Sequence, residues 1–87
     1  MILTQTYSAI APSLTSSFLA VGGVDPISYS VLPGGAGGTI DSVTGVYTAP
    51  AVVSEDPPLL YDTIRAVDSA ANVAESQILI GTPLLLL

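Results

Sequence analysis

The side chains that could do chemistry in this sequence are seven carboxylates, with no histidine or cysteine beside them. Without those two residue types, the usual catalytic triads, thiol nucleophiles and ordinary zinc sites cannot form. A carboxylate pair could still act as acid and base on a glycoside. The acidic residues are Asp25, Asp41, Glu55, Asp56, Asp62, Asp68 and Glu75. All lie near expected turns or strand ends, where Asp is favoured by bonds to the backbone, so we interpret them as solvated turn residues and expect no enzyme.

Two further ligand sites are possible in principle. Asp25, Asp68 and Asn72 could ligate calcium if their loops converge, although their spacing matches no known calcium loop. The glycine cluster at residues 33–38 lacks the lysine and the following helix that a phosphate-binding loop needs. It is better interpreted as a flexible connection between strands, and we expect no cofactor and no bound metal.

Composition narrows the class of partner. The 87-residue chain has a net charge of −6, and Arg65 is its only basic residue. Nucleic-acid binding and docking on anionic lipid both need cations, so neither is expected. The longest unbroken apolar run falls far short of the roughly 20 residues of a membrane helix, so no membrane span is predicted. The first residues lack the basic region of a secretory signal, which predicts that a chain starting at Met1 is not exported by the general route.

The same composition predicts association with something larger. Charged residues make up 9% of the chain and hydrophobic residues 49%, with a mean hydropathy of +0.70. A soluble monomer usually carries a more charged surface. A single domain of this size has a thin core, and no disulfide can reinforce it. Either Ser, Thr and Gly keep the surface solvated, or another protein covers part of it.

The expected secondary structure is entirely β. Seven prolines interrupt helical segments, while Val, Ile, Thr and Tyr recur at short spacing between turn residues. Seven strands are predicted, at residues 2–7, 14–21, 27–32, 39–41, 46–48, 60–67 and 73–80. Short strands separated by frequent turns are typical of a β-sandwich of the immunoglobulin type.

One phrase in the middle of the chain resembles a known family. Gly38-Thr39-Ile40-Asp41, then residues 44–50 (TGVYTAP) and then Asp62-Thr63-Ile64 resemble bacterial immunoglobulin-like (Big-type) domains, which occur in phage virion proteins and bacterial surface proteins. The resemblance covers most of residues 14–80 and implies a hairpin ending at Ala49-Pro50 and a late core strand. Arg65-Ala66 departs from the pattern, and the last residues lie outside it. We therefore divide the chain into an immunoglobulin-like domain at residues 1–82 and an apolar tail at 83–87.

The tail and the first strand are the expected contact segments. Four leucines at the end of the chain could pack on their own domain, enter a neighbour's groove or add a strand to its sheet. Strand 14–21 carries apolar residues on both faces, which suits either a strand covered on both sides or an irregular core. The residues we expect to contact a partner are Ile2, Leu3, Tyr7, Leu84, Leu85, Leu86 and Leu87.

The leading functional hypothesis is a non-catalytic structural module. The resemblance, the acidic composition with few charges, the expected lack of an export signal and the apolar tail together favour a decoration, cement or fibre-associated protein of a phage virion. It would dock on a capsid or tail protein, or associate with copies of itself. The alternative is an extracellular, cell-surface adhesin module that binds a carbohydrate or another surface, which would favour exposed aromatic rings.

Overall fold

Regular alternation of inward and outward side chains builds the strands of this domain. The computed structural model describes residues 1–7, 9–51 and 61–81. In β3, Ser16, Phe18 and Ala20 point inward and the residues between them are exposed, as a half-covered strand requires. The strands are β1 (Ile2–Gln5), β2 (Ala9–Ile10), β3 (Thr15–Val21), β4 (Ser28–Val31), β5 (Thr39–Ile40), β6 (Val46–Thr48), β7 (Tyr61–Val67) and β8 (Val73–Ile80).

The strands form two four-stranded sheets. The first sheet has the order β1-β3-β6-β5 and the second the order β2-β8-β7-β4. Neighbouring strands are antiparallel except β2 and β8, which run parallel. This arrangement, with β1, β3, β6 and β5 in one sheet and β2, β8, β7 and β4 in the other, is immunoglobulin-like topology. The predicted fold class is therefore confirmed, with eight strands in the described residues where seven were expected.

The core lies between the sheets and includes a pair of aromatic rings in edge-to-face contact. Phe18 of β3 and Tyr47 of β6 meet edge to face, with ring centroids 6.2 Å apart. From the second sheet, Ile64, Ala66 and Ile78 are fully buried against them. The turns hold this arrangement through glycine, since Gly45 has φ of 76° and an added Cβ would overlap the Phe18 carbonyl oxygen.

The first predicted strand, residues 2–7, is wrong in its end point. β1 stops at Gln5, and the chain then crosses to the other sheet, where β2 pairs with the end of β8. The Gln5 side chain donates to the Gln77 carbonyl oxygen at 3.1 Å, and the buried Ser16 hydroxyl accepts from the Tyr7 N–H at 3.1 Å. These bonds between distant segments fix the crossing, and the local pattern of residues 9–10 contains no sign of them.

The interpretation of all acidic residues as solvated turn residues is wrong for Asp62. Asp62 lies inside β7 and is 1% exposed. Its carboxyl group accepts hydrogen bonds from the N–H groups of Gly37 and Gly38, at 3.2 and 2.8 Å, and from the Tyr47 hydroxyl. An added Cβ at Gly38 would overlap the Tyr47 ring, so the loop closes only because that residue is glycine. Asp62 therefore joins the glycine loop, the first sheet and the second sheet at one point.

Candidate protein-binding surface

The outer side of the first sheet is an uncharged surface, which we call the first face. Strand register places Ile2 opposite Val21, Thr4 opposite Leu19, and Val46 opposite Ser17. The outward residues of the first face are Ile2, Thr4, Thr15, Ser17, Leu19, Val21, Thr39, Val46 and Thr48. Each is exposed and none can ionise. The apolar half of this surface is formed by Ile2, Leu19, Val21 and Val46, and the hydroxyl half by the Ser and Thr residues.

The apolar half of the first face consists of four exposed aliphatic side chains. Ile2 is 67% exposed, Leu19 60%, Val21 50% and Val46 40%. Single exposed hydrophobic residues are common on soluble proteins, but a contiguous group usually marks a contact surface. The register places Ile2 and Val21 directly side by side, and Leu19 two residues further along the same strand. These side chains form a continuous patch.

The outer side of the second sheet, the second face, is built differently. At its centre Arg65 of β7 and Glu75 of β8 lie directly opposite each other and form an ion pair of 2.6 Å. Thr63 and Gln77 form the next cross-strand pair along the same face. Apolar side chains, including Leu79, stand on either side of this polar centre. The second face therefore has the mixed surface typical of a solvated sheet.

A pocket of about 370 Å³ opens at one end of the first face. It lies beyond the first residue of β6, where β3 is flanked by the turn 41–45 and the loop 22–27. Across this gap the Phe18 N–H donates to the Gly45 carbonyl oxygen at 2.8 Å, and the Ala20 N–H donates to the Tyr29 hydroxyl at 3.1 Å. The pocket is lined by Leu19, Ala20, Asp25, Pro26, Ile27, Tyr29 and Val43.

One wall of the pocket is fixed by Asp41. Its carboxylate accepts the N–H groups of Val43 and Thr44, both at 2.9 Å, and these bonds lower the pKa of Asp41. The Ser42 carbonyl oxygen accepts the Tyr29 N–H at 3.0 Å, which ties the turn to the second sheet. Val43, which is 79% exposed, is consequently presented by a turn with a defined shape.

The opposite wall is fixed by Asp68, which directly follows β7. Hydrogen bonds from the Asn72 side chain, and from the backbone N–H groups of Val24, Asn72 and Ala70, lower the pKa of Asp68 to about 2. The Val24 N–H donates to Asp68 at 3.0 Å, and the Ser69 hydroxyl donates to the Asp25 carbonyl oxygen at 3.0 Å. The loop 22–27 is therefore held by the turn that follows β7.

These bonds also bear on the calcium hypothesis. Asp68 and Asn72 do lie together, but the Asn72 amide nitrogen donates to Asp68 at 3.0 Å. Both Asp68 carboxylate oxygens accept N–H groups and serve as turn ligands for the backbone. Within the described residues, no three acidic, histidine or cysteine side chains are grouped as metal ligands.

The described part of the chain also contains no helix that is long and apolar enough to cross a membrane.

The structure divides the residues that the sequence predicts for partner contact. Ile2 lies on the first face, whereas Leu3 points inward and is half-buried against the core. Tyr7 is 57% exposed beyond the end of β1. Leu84, Leu85, Leu86 and Leu87 lie outside the described residues.

Most of the first face was not predicted as a site. Leu19, Val21 and Val46 stand on it, and Val43 stands at its pocket. The available signal was strand 14–21, with apolar side chains on both sides of the alternation. Within the described residues, Phe18 and Ala20 enter the core and Leu19 and Val21 are exposed, so the chain itself covers one side of this strand. Coverage of the other side stays a prediction.

Comparison with known proteins adds no identification. No family model matches the sequence, and no curated protein matches it. The resemblance to bacterial immunoglobulin-like domains thus stays a prediction that rests on its motifs, while the immunoglobulin-like fold rests on the strand order.

Proposed function

We propose that this chain is a non-catalytic binding module that docks on a larger protein assembly through its first face. The observation that carries the proposal is the uncharged surface formed by four strands of the first sheet, with the apolar patch of Ile2, Leu19, Val21 and Val46 at one end. Burial of such side chains is the main favourable term in protein association. The hydroxyl half of the face supplies donors and acceptors for a polar rim.

The proposed assembly is a phage particle, with a capsid or tail protein as the partner. This part of the proposal rests on the motif resemblance at residues 38–50 and 62–64. It agrees with the low content of charged residues, 9% of the chain, because a subunit with one covered face needs fewer charges to stay soluble.

A surface adhesin that binds carbohydrate is the second candidate. The observation that favours it is the exposure of two aromatic rings, Tyr7 at 57% and Tyr61 at 47%. Neither residue belongs to the first face, so the two candidates predict different sites on the molecule. A glycan array probed with the wild-type chain and with Tyr61→Ala separates the two candidates. An adhesin binds glycans on the array and loses binding in Tyr61→Ala, whereas a virion module binds none.

The decisive test compares two matched surface leucines. Leu19 on the first face is 60% exposed and Leu79 on the second face is 54% exposed, so a lysine at either position is accommodated by the fold. Phage particles are purified on a density gradient from a host that carries the coding sequence, with the chain as wild type, Leu19→Lys or Leu79→Lys. The measured quantity is the ratio of this chain to the major capsid or tail protein.

We expect the wild-type chain and Leu79→Lys to copurify with particles at the same ratio. Leu19→Lys should lower that ratio at least about tenfold, since burying an unpaired charge in an interface removes more than 1.4 kcal/mol of binding free energy. Absence of the wild-type chain from particles would exclude the virion assignment. Equal ratios for the two lysine variants would exclude the first face as the docking surface.

A further inference from the structure

We infer that the pocket beside Leu19 receives an aliphatic side chain of the protein partner, flanked by a Lys or Arg that pairs with Asp25. The inference rests on the proposed function and names the chemistry that the partner must present. Leu19 belongs to both the first face and the pocket, so a partner lying over the face also reaches the pocket. A volume of about 370 Å³ lies at the lower end of the range for binding pockets, which suits one or two side chains.

The lining of the pocket favours an aliphatic group. Leu19, Pro26, Ile27 and Val43 supply its apolar surface, and they come from three separate segments of the chain. Among the described residues that line the pocket, Tyr29 alone is aromatic; it is 6% exposed, and its hydroxyl accepts a hydrogen bond from the Ala20 N–H. The ring is therefore buried and is not offered for stacking on a sugar, which favours a protein side chain over a glycan.

The distribution of charge indicates a basic neighbour for that side chain. Within the described residues, four of the five acidic side chains have partners in the chain: Asp41, Asp62 and Asp68 accept hydrogen bonds, and Glu75 forms an ion pair. The remaining one, Asp25, is exposed and lines the pocket. A partner whose cation approaches this rim gains favourable electrostatic energy, and a like charge is repelled.

The same charges argue against a second copy as the occupant. Arg65 is the only basic side chain in the sequence, and it is paired with Glu75 on the second face. A second copy would bring a net charge of −6 and no free basic side chain to the rim. The occupant is therefore a different protein.

The pocket is built before a partner arrives. Asp41 fixes the turn that carries Val43, and Asp68 with Ser69 fixes the loop that carries Asp25 and Pro26. Walls held by several hydrogen bonds lose little conformational freedom on binding, which is the condition for a preformed recognition site.

The test selects ligands without naming them beforehand. A random peptide library is displayed and selected on the full chain, and the enriched peptides are synthesised and titrated by NMR into the wild type, Val43→Asp, Asp25→Asn and the control Val73→Asp. Val73 is a matched control because it is 53% exposed on the second face. Each variant is also carried through the particle copurification described above.

We expect enriched peptides to contain an aliphatic residue beside Lys or Arg and to shift the methyl signals of Leu19, Ile27 and Val43. Val43→Asp should weaken binding at least about tenfold, and Asp25→Asn about two- to fivefold with less dependence on salt. Val73→Asp should bind as the wild type does. Absence of any enriched peptide, enrichment without a basic residue, or equal binding to Val43→Asp would overturn the inference.

Failure of the inference can be separated from failure of the proposed function. If Leu19→Lys removes the chain from particles while Val43→Asp leaves it bound, the first face docks without use of the pocket. If both variants copurify as the wild type does, the proposed docking surface itself is wrong, whatever the peptides show. Self-association would appear as concentration-dependent mass in sedimentation of the chain alone, and its loss in Val43→Asp would assign the pocket to a second copy.

Discussion

The two sheets of this sandwich have similar inner sides and different outer faces. In β3 and in β7, alternate residues enter the core, where Phe18 and Ile64 are almost fully buried. The residues between them face outward on both sheets. On the first face they are aliphatic or hydroxyl-bearing, and on the second face the central pair is Arg65 and Glu75.

This difference separates what folding requires from what it leaves free. Inward positions must be apolar or fully hydrogen-bonded, and the described part of the chain has no buried side-chain nitrogen or oxygen without a partner. Outward positions carry no such requirement, so a sheet that only meets water usually mixes charged and polar residues. The first face lacks that mixture. Because folding does not require an uncharged outer side, the lack of charged residues there supports the proposed docking function.

The two faces belong to one cooperative unit only if the two sheets unfold together. Removing Asp62, which joins the sheets, tests this most directly. Asp62→Ala removes the acceptor for the Tyr47 hydroxyl and for two backbone N–H groups of the glycine loop. Leaving buried donors unpaired should lower the free energy of unfolding by about 3 kcal/mol. Urea unfolding followed by circular dichroism measures this loss.

The control for that experiment lies next to it in the same strand. Thr63→Ala changes an outward residue of β7 and should alter stability by no more than about 0.5 kcal/mol. Equal effects of the two substitutions would mean that Asp62 does not join the sheets. Separate unfolding transitions in the wild type would mean that each face must be analysed as part of its own unit.

A second prediction concerns pH and the loop that borders the pocket. The pKa of Asp68 falls from 3.8 to about 2 on folding, so its contribution to stability is complete well above 3.8 and is lost as the pH falls towards 2. Asp41 adds to the same loss, since its pKa is also lowered. In Asp68→Asn the decline of unfolding free energy between pH 5 and pH 2, the range set by these pKa values, should be shallower than in the wild type.

The measurement is a series of urea titrations across that pH range. Asp68→Asn should also be less stable at neutral pH, because its amide group replaces one of the oxygens that accept N–H groups. If the wild type and the variant lose stability in parallel, Asp68 is not a titrating anchor, and the wall of the pocket is held by other contacts.

Local pattern predicted most of the strands because their spacing and turns are local properties. Alternation placed β4, β7 and β8 within a residue or two of their observed ends. β2 escaped prediction because its pairing depends on contacts with β8, which is distant in sequence. Asp62 escaped because a carboxylate is buried only when several donors converge on it.

The candidate surface was harder to predict than the strands. The sequence of β3 showed apolar side chains on both sides, but only the finished sheet tells which side meets the core. Prediction favoured Ile2, which is on the first face, and also Leu3, which faces inward. The register between β1 and β3, a non-local property, brings Ile2 beside Val21 and makes a patch out of scattered residues.

The smallest expected effect tests whether charge alone distinguishes the faces. The double variant Arg65→Gln, Glu75→Gln removes the ion pair and leaves the second face uncharged. Both side chains are about two-fifths exposed, at 42% and 39%, so the free energy of unfolding should change by less than about 1 kcal/mol. Copurification with particles should be unchanged, because Leu19 and its neighbours are intact. The same double change is also made in the Leu19→Lys chain. If it restores particle binding there, an uncharged second face is enough for docking, and the apolar patch and its pocket would no longer explain which face binds.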